Sequence, residues 1–308
     1  MGTKYSIKII AKLPQTIDIN NVKSKIDSAL QLVNQQMSTY IPDSEISRFN
    51  QLTSKDWFTI STDFYDVIVT AQEISRLTNG AFDITVGPIM DLWGFSGDLT
   101  QNNWKPPIDQ EIEKIIKSTG YNNIVIGINS IKKINPNTKI DLNAIAKGYG
   151  VDVVFQLLKD IGYTDILVEI GGEVRCNGFN KDSESWRIGI DKPILDVMPG
   201  TDLQAVISLK NKALATSGDY RNYFEYDGEF YSHMIDPVTG SPTQNNVAST
   251  SVIAPNCMTA DALATALMIM GKKGIELVNT IDGVEAMIII RTDKNKFNSV
   301  ESFGWAIN

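Results

Sequence analysis

The sequence predicts an α+β fold, and three observations carry that prediction. Segments of helical period and segments of alternating period both recur along the chain. They are interleaved without the strict strand–helix–strand alternation of a parallel sheet. No linker, internal repeat or low-complexity stretch divides the 308 residues, so one domain over 1–308, built in two lobes, is expected.

The start, "MGTKYSIKIIAKL", alternates as a strand does. Val22, Ile26, Ala29, Leu30, Val33 and Met37 then recur at helical spacing until "PDSE" breaks the pattern. "STDFYDVIVTAQEISRLTNG" is a helix capped by Ser61 or Thr62, with Phe64, Val67, Ile68, Ala71, Ile74 and Leu77 on its apolar face and Gly80 as its stop. In "NGAFDITVGPIMDLWGF" the Gly-Pro pair and the aromatics predict a shaped loop. "DQEIEKIIKSTG" is a shorter helix, and "NNIVIGINSIKKI" is a hairpin turning near Asn129-Ser130.

"NAIAKGYGVDVVFQLLKDIG" is a third long helix, followed by the strand "DILVEI" and a turn at Gly171-Gly172. Strands are expected at "WRIGID", "LQAVISLKNKALAT", "VASTSVIA" and "EAMIII". The helices "TADALATALMIMG" and "KKGIELVNTI" lie between the last two.

Composition narrows the function classes. With 43% hydrophobic and 21% charged residues the chain can build an ordinary core. A net charge of −8 leaves no global basic footprint for nucleic acid and no attraction to an acidic membrane surface. The same field repels a phosphate-rich ligand, which therefore needs local cations, backbone N–H groups or a metal. Cys176 and Cys257 lack metal-ligand spacing, and a single disulfide between them stays open. With His233 the only histidine, any metal site is oxygen-rich, which suits Mg²⁺ or Ca²⁺ better than Zn²⁺. No long apolar run and no signal-peptide core occur, so either the protein is cytosolic or a targeting segment has been removed.

Four segments are candidates for chemistry. In "TADALATAL", Asp261 and Thr265 stand at i and i+4 on one helix face, and a carboxylate and hydroxyl near a helix N-terminus can hold a hard cation. The plainer reading has Thr259 capping the helix and Asp261, in the first turn, favouring its dipole. In "KIDLNAIAKGYGVD", Asp141 and Lys147 flank a helix start with small residues between them, so a ligand can approach closely. The plainer reading is a capping Asp and a solvated Lys. "VEIGGEVRCNG" sets Glu169 and Glu173 beside two glycines but is no dinucleotide fingerprint, and neither a P-loop nor a G-x-S-x-G elbow is present. "YSHMIDPVTGSP" carries His233, the one side chain with an ordinary charge change near neutral pH.

Together and in order, "MGTKYSIKI", "MSTYIPDSEISRFN", "GAFDITVGPIMDLWGF", "IDLNAIAKGYGVD", "LVEIGGEVRCNG", "ALATSGDYRNYF", "HMIDPVTGSP" and "TADALATALMIMG" resemble the ApbE family of FAD:protein FMN transferases. The resemblance implies a T-fold-like domain of largely antiparallel sheet and packed helices, with FAD in a cleft between two lobes. It implies cleavage of FAD, attachment of FMN through a phosphoester to a Thr or Ser of an acceptor protein, release of AMP and a need for Mg²⁺. By the same resemblance Asp261, Thr265 and the Ala144 carbonyl fall on metal ligands. Met37, Ala81, Phe82, Asp83, Asp141, Lys147 and Ile235 fall on FAD contacts, and Ser44-Glu45-Ile46-Ser47-Arg48 on a block expected to shape the flavin or AMP end. His233 falls on a motif histidine, either as the base for the acceptor hydroxyl or as a residue that orients FAD.

Asn143 stands where many relatives have Gly, and Cys257 where Ser or Ala is frequent; neither removes a ligand. Because most relatives carry a lipoprotein or secretion signal, the resemblance implies an extracytoplasmic protein, with a cytoplasmic one as the alternative. The implied acceptor is a subunit of a membrane redox complex. An FAD pyrophosphatase, a flavin-carrying protein without turnover, and self-modification at "DPVTGSPT" are the competing readings.

Overall fold

A computed structural model describes residues 2–11, 17–96, 104–194, 197–198, 200–220, 222–293 and 296–305. Strand β1 (Tyr5–Ile9) opens the chain; Met1, Lys12 and Leu13 of the expected first strand lie outside the described residues. Helix α1 (Ile19–Met37) starts where Asp18 Oδ1 accepts from the Asn21 N–H, and it buries Val22, Ile26, Leu30, Val33 and Met37 on one stripe. The "PDSE" break is followed at once by α2 (Glu45–Gln51), capped by Ser44. After β2 (Phe58–Thr59), α3 (Thr62–Leu77) is capped by Ser61, whose Oγ accepts from the Phe64 N–H. Leu77, expected on the buried face, is instead exposed at the last turn.

The segment expected as a shaped loop contains α4 (Gly87–Trp93). Pro88 lies in the first turn of this helix, where its missing N–H costs nothing, and Gly94 ends it at φ +79°. Next come α5 (Asp109–Ile115) and the hairpin β3 (Ile124–Gly127)–β4 (Ser130–Lys133), with Asn129 at φ +44° in the turn. Helix α6 (Ala146–Ile161) leads into β5 (Ile166–Ile170) and β6 (Glu173–Asn177). Strand β7 (Trp186–Asp191) pairs with β8 (Leu203–Leu209) as a separate ribbon. The expected long strand is therefore two, because the chain turns at Asn211 (φ +52°) before β9 (Ala213–Gly218) joins the main sheet.

Strands β10 (Tyr223–Tyr226) and β11 (Glu229–Ser232) form a hairpin on a two-residue Asp227-Gly228 turn, both residues at positive φ. The short pair β12 (Ile235–Asp236) and β13 (Ser241–Pro242) follows. Strand β14 (Val247–Ala254) is buried along its whole length. Helices α7 (Cys257–Met270) and α8 (Lys272–Val278) precede β15 (Glu285–Asp293) and β16 (Lys296–Glu301).

The main sheet has the order β1-β5-β6-β9-β14-β15-β16, with every neighbouring pair antiparallel. Helices α6 and α7 pack side by side on it, with α1 against α6 and α3 against α7. Two apolar clusters lie under these helices, and a third, with Trp186, Ile207 and Leu209, joins the β7–β8 ribbon to Leu214, Ile253 and Ile289 of the sheet. Cys176 and Cys257 are both buried and free, which closes the disulfide question. Among the described residues no helix is long and apolar enough to cross a membrane.

Candidate active site

Helices α6 and α7 meet at Gly148. A Cβ built there would overlap the Cys257 carbonyl and lie 2.8 Å from Asp261 Cβ, so only glycine permits this approach. The Gly148 N–H donates to Asp261 Oδ2 at 2.9 Å. Among the described residues no backbone N–H takes the Ala144 carbonyl, which Gly148 would pair in an uninterrupted helix. Gly148→Ala is expected to destabilise the fold by roughly 1–3 kcal/mol, as overpacking does. Denaturant unfolding of the variant measures it, and an unchanged midpoint would contradict this packing.

Helix α7 begins two residues earlier than "TADALATAL" suggests. Asn256 caps it, accepting from the Thr259 N–H at 2.8 Å, so Asp261 falls in the second turn and not in the first. The plainer reading of Asp261 as a dipole-favouring N-terminal acid therefore lapses. Its side chain is 4% exposed and tied to α6. Thr265, one turn on, meets Ser217 at the end of β9, hydroxyl to hydroxyl at 3.2 Å.

Lys147 sets its ammonium between two carboxylates. It makes an ion pair with Glu173 Oε1 and stands 3.9 Å from Asp261 Oδ1. Burial alone would lower the ammonium, but Asp261 and Glu173 outweigh it and hold Lys147 charged. Burial raises Asp261, opposed by Lys147 and the Gly148 N–H. Burial likewise raises Glu173, helped by the Asp261 charge and opposed by Lys147.

His233 sits between β11 and β12. An aromatic box fixes this segment: Trp104 stacks on Phe224 with centroids 4.4 Å apart, and Trp93 Nε1 donates to the Gly240 carbonyl at 2.8 Å. The Asn222 carbonyl accepts the His233 N–H at 3.1 Å and faces Nδ1 at 2.9 Å. A carbonyl only accepts, so this contact assigns the proton to Nδ1 and leaves Nε2 as the acceptor of the neutral ring. Burial lowers the imidazole, against the Asn222 contact and the Asp219 charge.

These groups open on one cavity of about 800 Å³, near the upper end of ligand pockets (roughly 300–1,000 Å³). Met37, Ala81, Phe82, Asp83, Asp141, Ala144, Lys147, His233, Ile235, Asp261 and Thr265 all line it. Their individual surroundings differ. Asp83 accepts from the Thr85 N–H, the Thr85 hydroxyl and the Tyr121 N–H, so its carboxylate holds the loop. Asp141 accepts from the Asn143 N–H at 2.7 Å and caps no helix, and burial raises its carboxyl. The Ile235 N–H donates to the His233 carbonyl.

Ser44 and Glu45, expected at the ligand, are not lining residues. Ser44 caps α2 and donates to the Ser38 carbonyl, while Glu45 accepts from the Ser61 N–H and hydroxyl. Ser44 braces the wall through Ser38, which does line the cavity, whereas Glu45 holds Ser61, the cap of α3. Tyr40, Glu173, Ser217 and Asn222 also line it and were not singled out as site residues. All four sat inside quoted motif blocks, but Asn222 carries its role on a backbone carbonyl and leaves no side-chain signal.

The donor set around Asp261 and Thr265 suits a hard cation: a buried carboxylate, a hydroxyl, and a carbonyl freed from helix pairing. Among the described residues no group of three or more His, Cys, Asp or Glu gathers as a closed cage.

A sequence profile of the ApbE family matches residues 1–288. The FAD:protein FMN transferase of Vibrio cholerae is 45% identical over 293 residues, covering 95% of this chain and 86% of that protein. The Haemophilus influenzae protein of the same name is 39% identical over 299 residues, covering 95% and 85%. The solved structure of the Vibrio cholerae flavin transferase ApbE aligns with a TM-score of 0.88 at 42% identity, covering 98% of this chain and 94% of that one. On the fold, the ordered motifs and these matches, the chain belongs to the ApbE family.

Proposed function

We propose that the protein is an FAD:protein FMN transferase that moves FMN from FAD to a Thr or Ser hydroxyl of an acceptor protein and releases AMP. The observation that carries this reading is the meeting of Lys147, Asp261, Thr265 and a neutral-ring acceptor on His233 in one cavity. The activity named for the Vibrio cholerae and Haemophilus influenzae relatives supports it.

In the reaction the acceptor oxygen bonds to the FMN phosphorus while the phosphorus–oxygen bond to AMP breaks. The acceptor hydroxyl gives its proton to His233 Nε2, since Nδ1 is already committed to the Asn222 carbonyl. Lys147 offers ammonium N–H donors to the pyrophosphate, where charge accumulates as the bond breaks. Asp261, Thr265 and the Ala144 carbonyl would hold Mg²⁺, which when bound supplies further positive charge to the phosphate oxygens. In a chain of net charge −8 these local charges answer the repulsion of a dianionic diphosphate. Tyr40, 67% exposed at the wall, offers a ring face for a flat aromatic group of the ligand. The acceptor is proposed to be a redox protein of an extracytoplasmic membrane complex, in keeping with the family resemblance.

The neutral imidazole is the active form, and burial holds its titration below the ordinary histidine value. The acid limb of kcat/KM for transfer is therefore expected below that value, with activity falling as the pH drops through it. A limb above the ordinary histidine value would contradict the assignment of His233 as base. AMP release measured against acceptor concentration tests the activity itself. Transfer requires AMP to rise with acceptor, whereas release independent of acceptor would mean hydrolysis by water.

A further inference from the structure

Glu173 opens β6 directly after the Gly171-Gly172 turn, where both glycines hold positive φ and aim the strand's first side chain at the cavity wall. Its side chain is 2% exposed. Oε1 takes the Lys147 ammonium, and Oε2 is buried with no hydrogen-bond partner among the described residues. Lys147 is thus the one side chain that hydrogen-bonds this carboxylate among the described residues. A buried carboxylate left this incomplete is costly, and such groups call for an explanation.

The explanation lies on the other side of the ammonium. Asp261 Oδ2 is engaged by the Gly148 N–H, which leaves Oδ1 as the oxygen for a ligand. Lys147 Nζ stands 3.9 Å from Oδ1, beyond hydrogen-bond range, although Asp261 and Glu173 together hold the ammonium charged. With two buried carboxylates in reach, the lysine contacts Glu173 and stays off Asp261.

We infer that Glu173 is a positioning residue that holds Lys147 away from Asp261, keeping Oδ1 open to a divalent cation. The inference rests on the reading of Asp261 as a cation ligand. With both carboxylates ionised the three groups sum to one negative charge, the sign that recruits a cation, and the ammonium keeps its remaining N–H donors for an anionic ligand. Without the Glu173 charge, Asp261 becomes the strongest partner in reach of Lys147. A contact pair there would close Oδ1 and leave the cluster neutral.

The test is Mn²⁺ binding by calorimetry to the full chain without FAD, with a crystal structure of Glu173→Gln. The variant is expected to bind Mn²⁺ at least about tenfold more weakly, the scale of a strong coupling between neighbouring groups. Its Lys147 Nζ is expected within hydrogen-bond distance of Asp261. Unchanged affinity, or an ammonium that stays off Asp261, overturns the inference. Should Glu173→Gln fail to fold, the Lys147→Met/Glu173→Gln pair buries neither charge and has the wild-type cluster charge. It is expected to bind Mn²⁺ within about threefold of wild type, and a loss of about tenfold or more would make Glu173 a direct ligand and overturn it. Asp261→Asn, which keeps an acceptor for the Gly148 N–H, is the control. If wild-type Mn²⁺ binding survives that change, the cation reading of Asp261 fails; if it is lost there and Glu173→Gln binds normally, only the positioning role fails.

Discussion

His233→Ala is expected to bind FAD as the wild type does and to lose transfer by about 10²–10⁴-fold, the usual contribution of a positioned general base. The Asn222 carbonyl fixes the ring with Nδ1 protonated, so the alanine variant removes the proton acceptor and leaves Lys147, Asp261 and the rest of the wall in place. Because the base acts after the nucleotide is bound, the loss should appear in kcat, with FAD affinity changed little. Single-turnover transfer at saturating FAD, together with FAD binding by fluorescence, separates the two quantities. Retained transfer would remove His233 from the chemistry. Retained chemistry with lost FAD affinity would make it a residue that orients the nucleotide.

Asp261→Asn is expected to lose the response to divalent cation and to slow transfer by on the order of 10³-fold, the worth of several kcal/mol of charge stabilisation. Asparagine is the informative substitution because its oxygen can still accept from the Gly148 N–H, so the α6–α7 junction keeps its hydrogen bond. Alanine would also leave that buried N–H unpaired, at about 1–3 kcal/mol, and would mix packing with chemistry. Mg²⁺ titration of the transfer rate, beside a thermal melt, checks the expectation. A variant that melts normally and keeps the wild-type Mg²⁺ dependence would contradict the assignment of Asp261 as a cation ligand.

Periodicity located most of the fold, since the long helices and the strands of the main sheet carry clean apolar patterns. It failed where local signals competed. "VGPIMDLW" reads as a loop if Gly-Pro is taken as a breaker, yet proline in a first turn starts a helix. "APNCMTAD" offers both Asn256 and Thr259 as caps. The choice between them decides whether Asp261 is an ordinary first-turn acid or a buried carboxylate tied to a second helix. "LQAVISLKNKALAT" is continuous in pattern, but Asn211 adopts a left-handed turn that sends its two halves to different sheets.

For the site, residue type and order brought most of the lining within reach. Ser44 and Glu45 belong to the same quoted block as Tyr40, yet Ser44 caps α2 and Glu45 holds the α3 cap Ser61, while Tyr40 faces the cavity. Nothing in the block separates these duties. Partners distant in sequence were the least legible. Glu173 lies 26 residues from Lys147, and the Asn222 carbonyl lies 11 from His233. Only the folded sheet and hairpin bring these pairs into contact.

The most direct measurement is the intact mass of an acceptor protein after incubation with this chain, FAD and Mg²⁺. A transferase adds one FMN moiety to the acceptor on a Thr or Ser and yields AMP in equal amount. Free FMN and AMP with an acceptor of unaltered mass would contradict the transferase reading and make the protein a hydrolase of FAD.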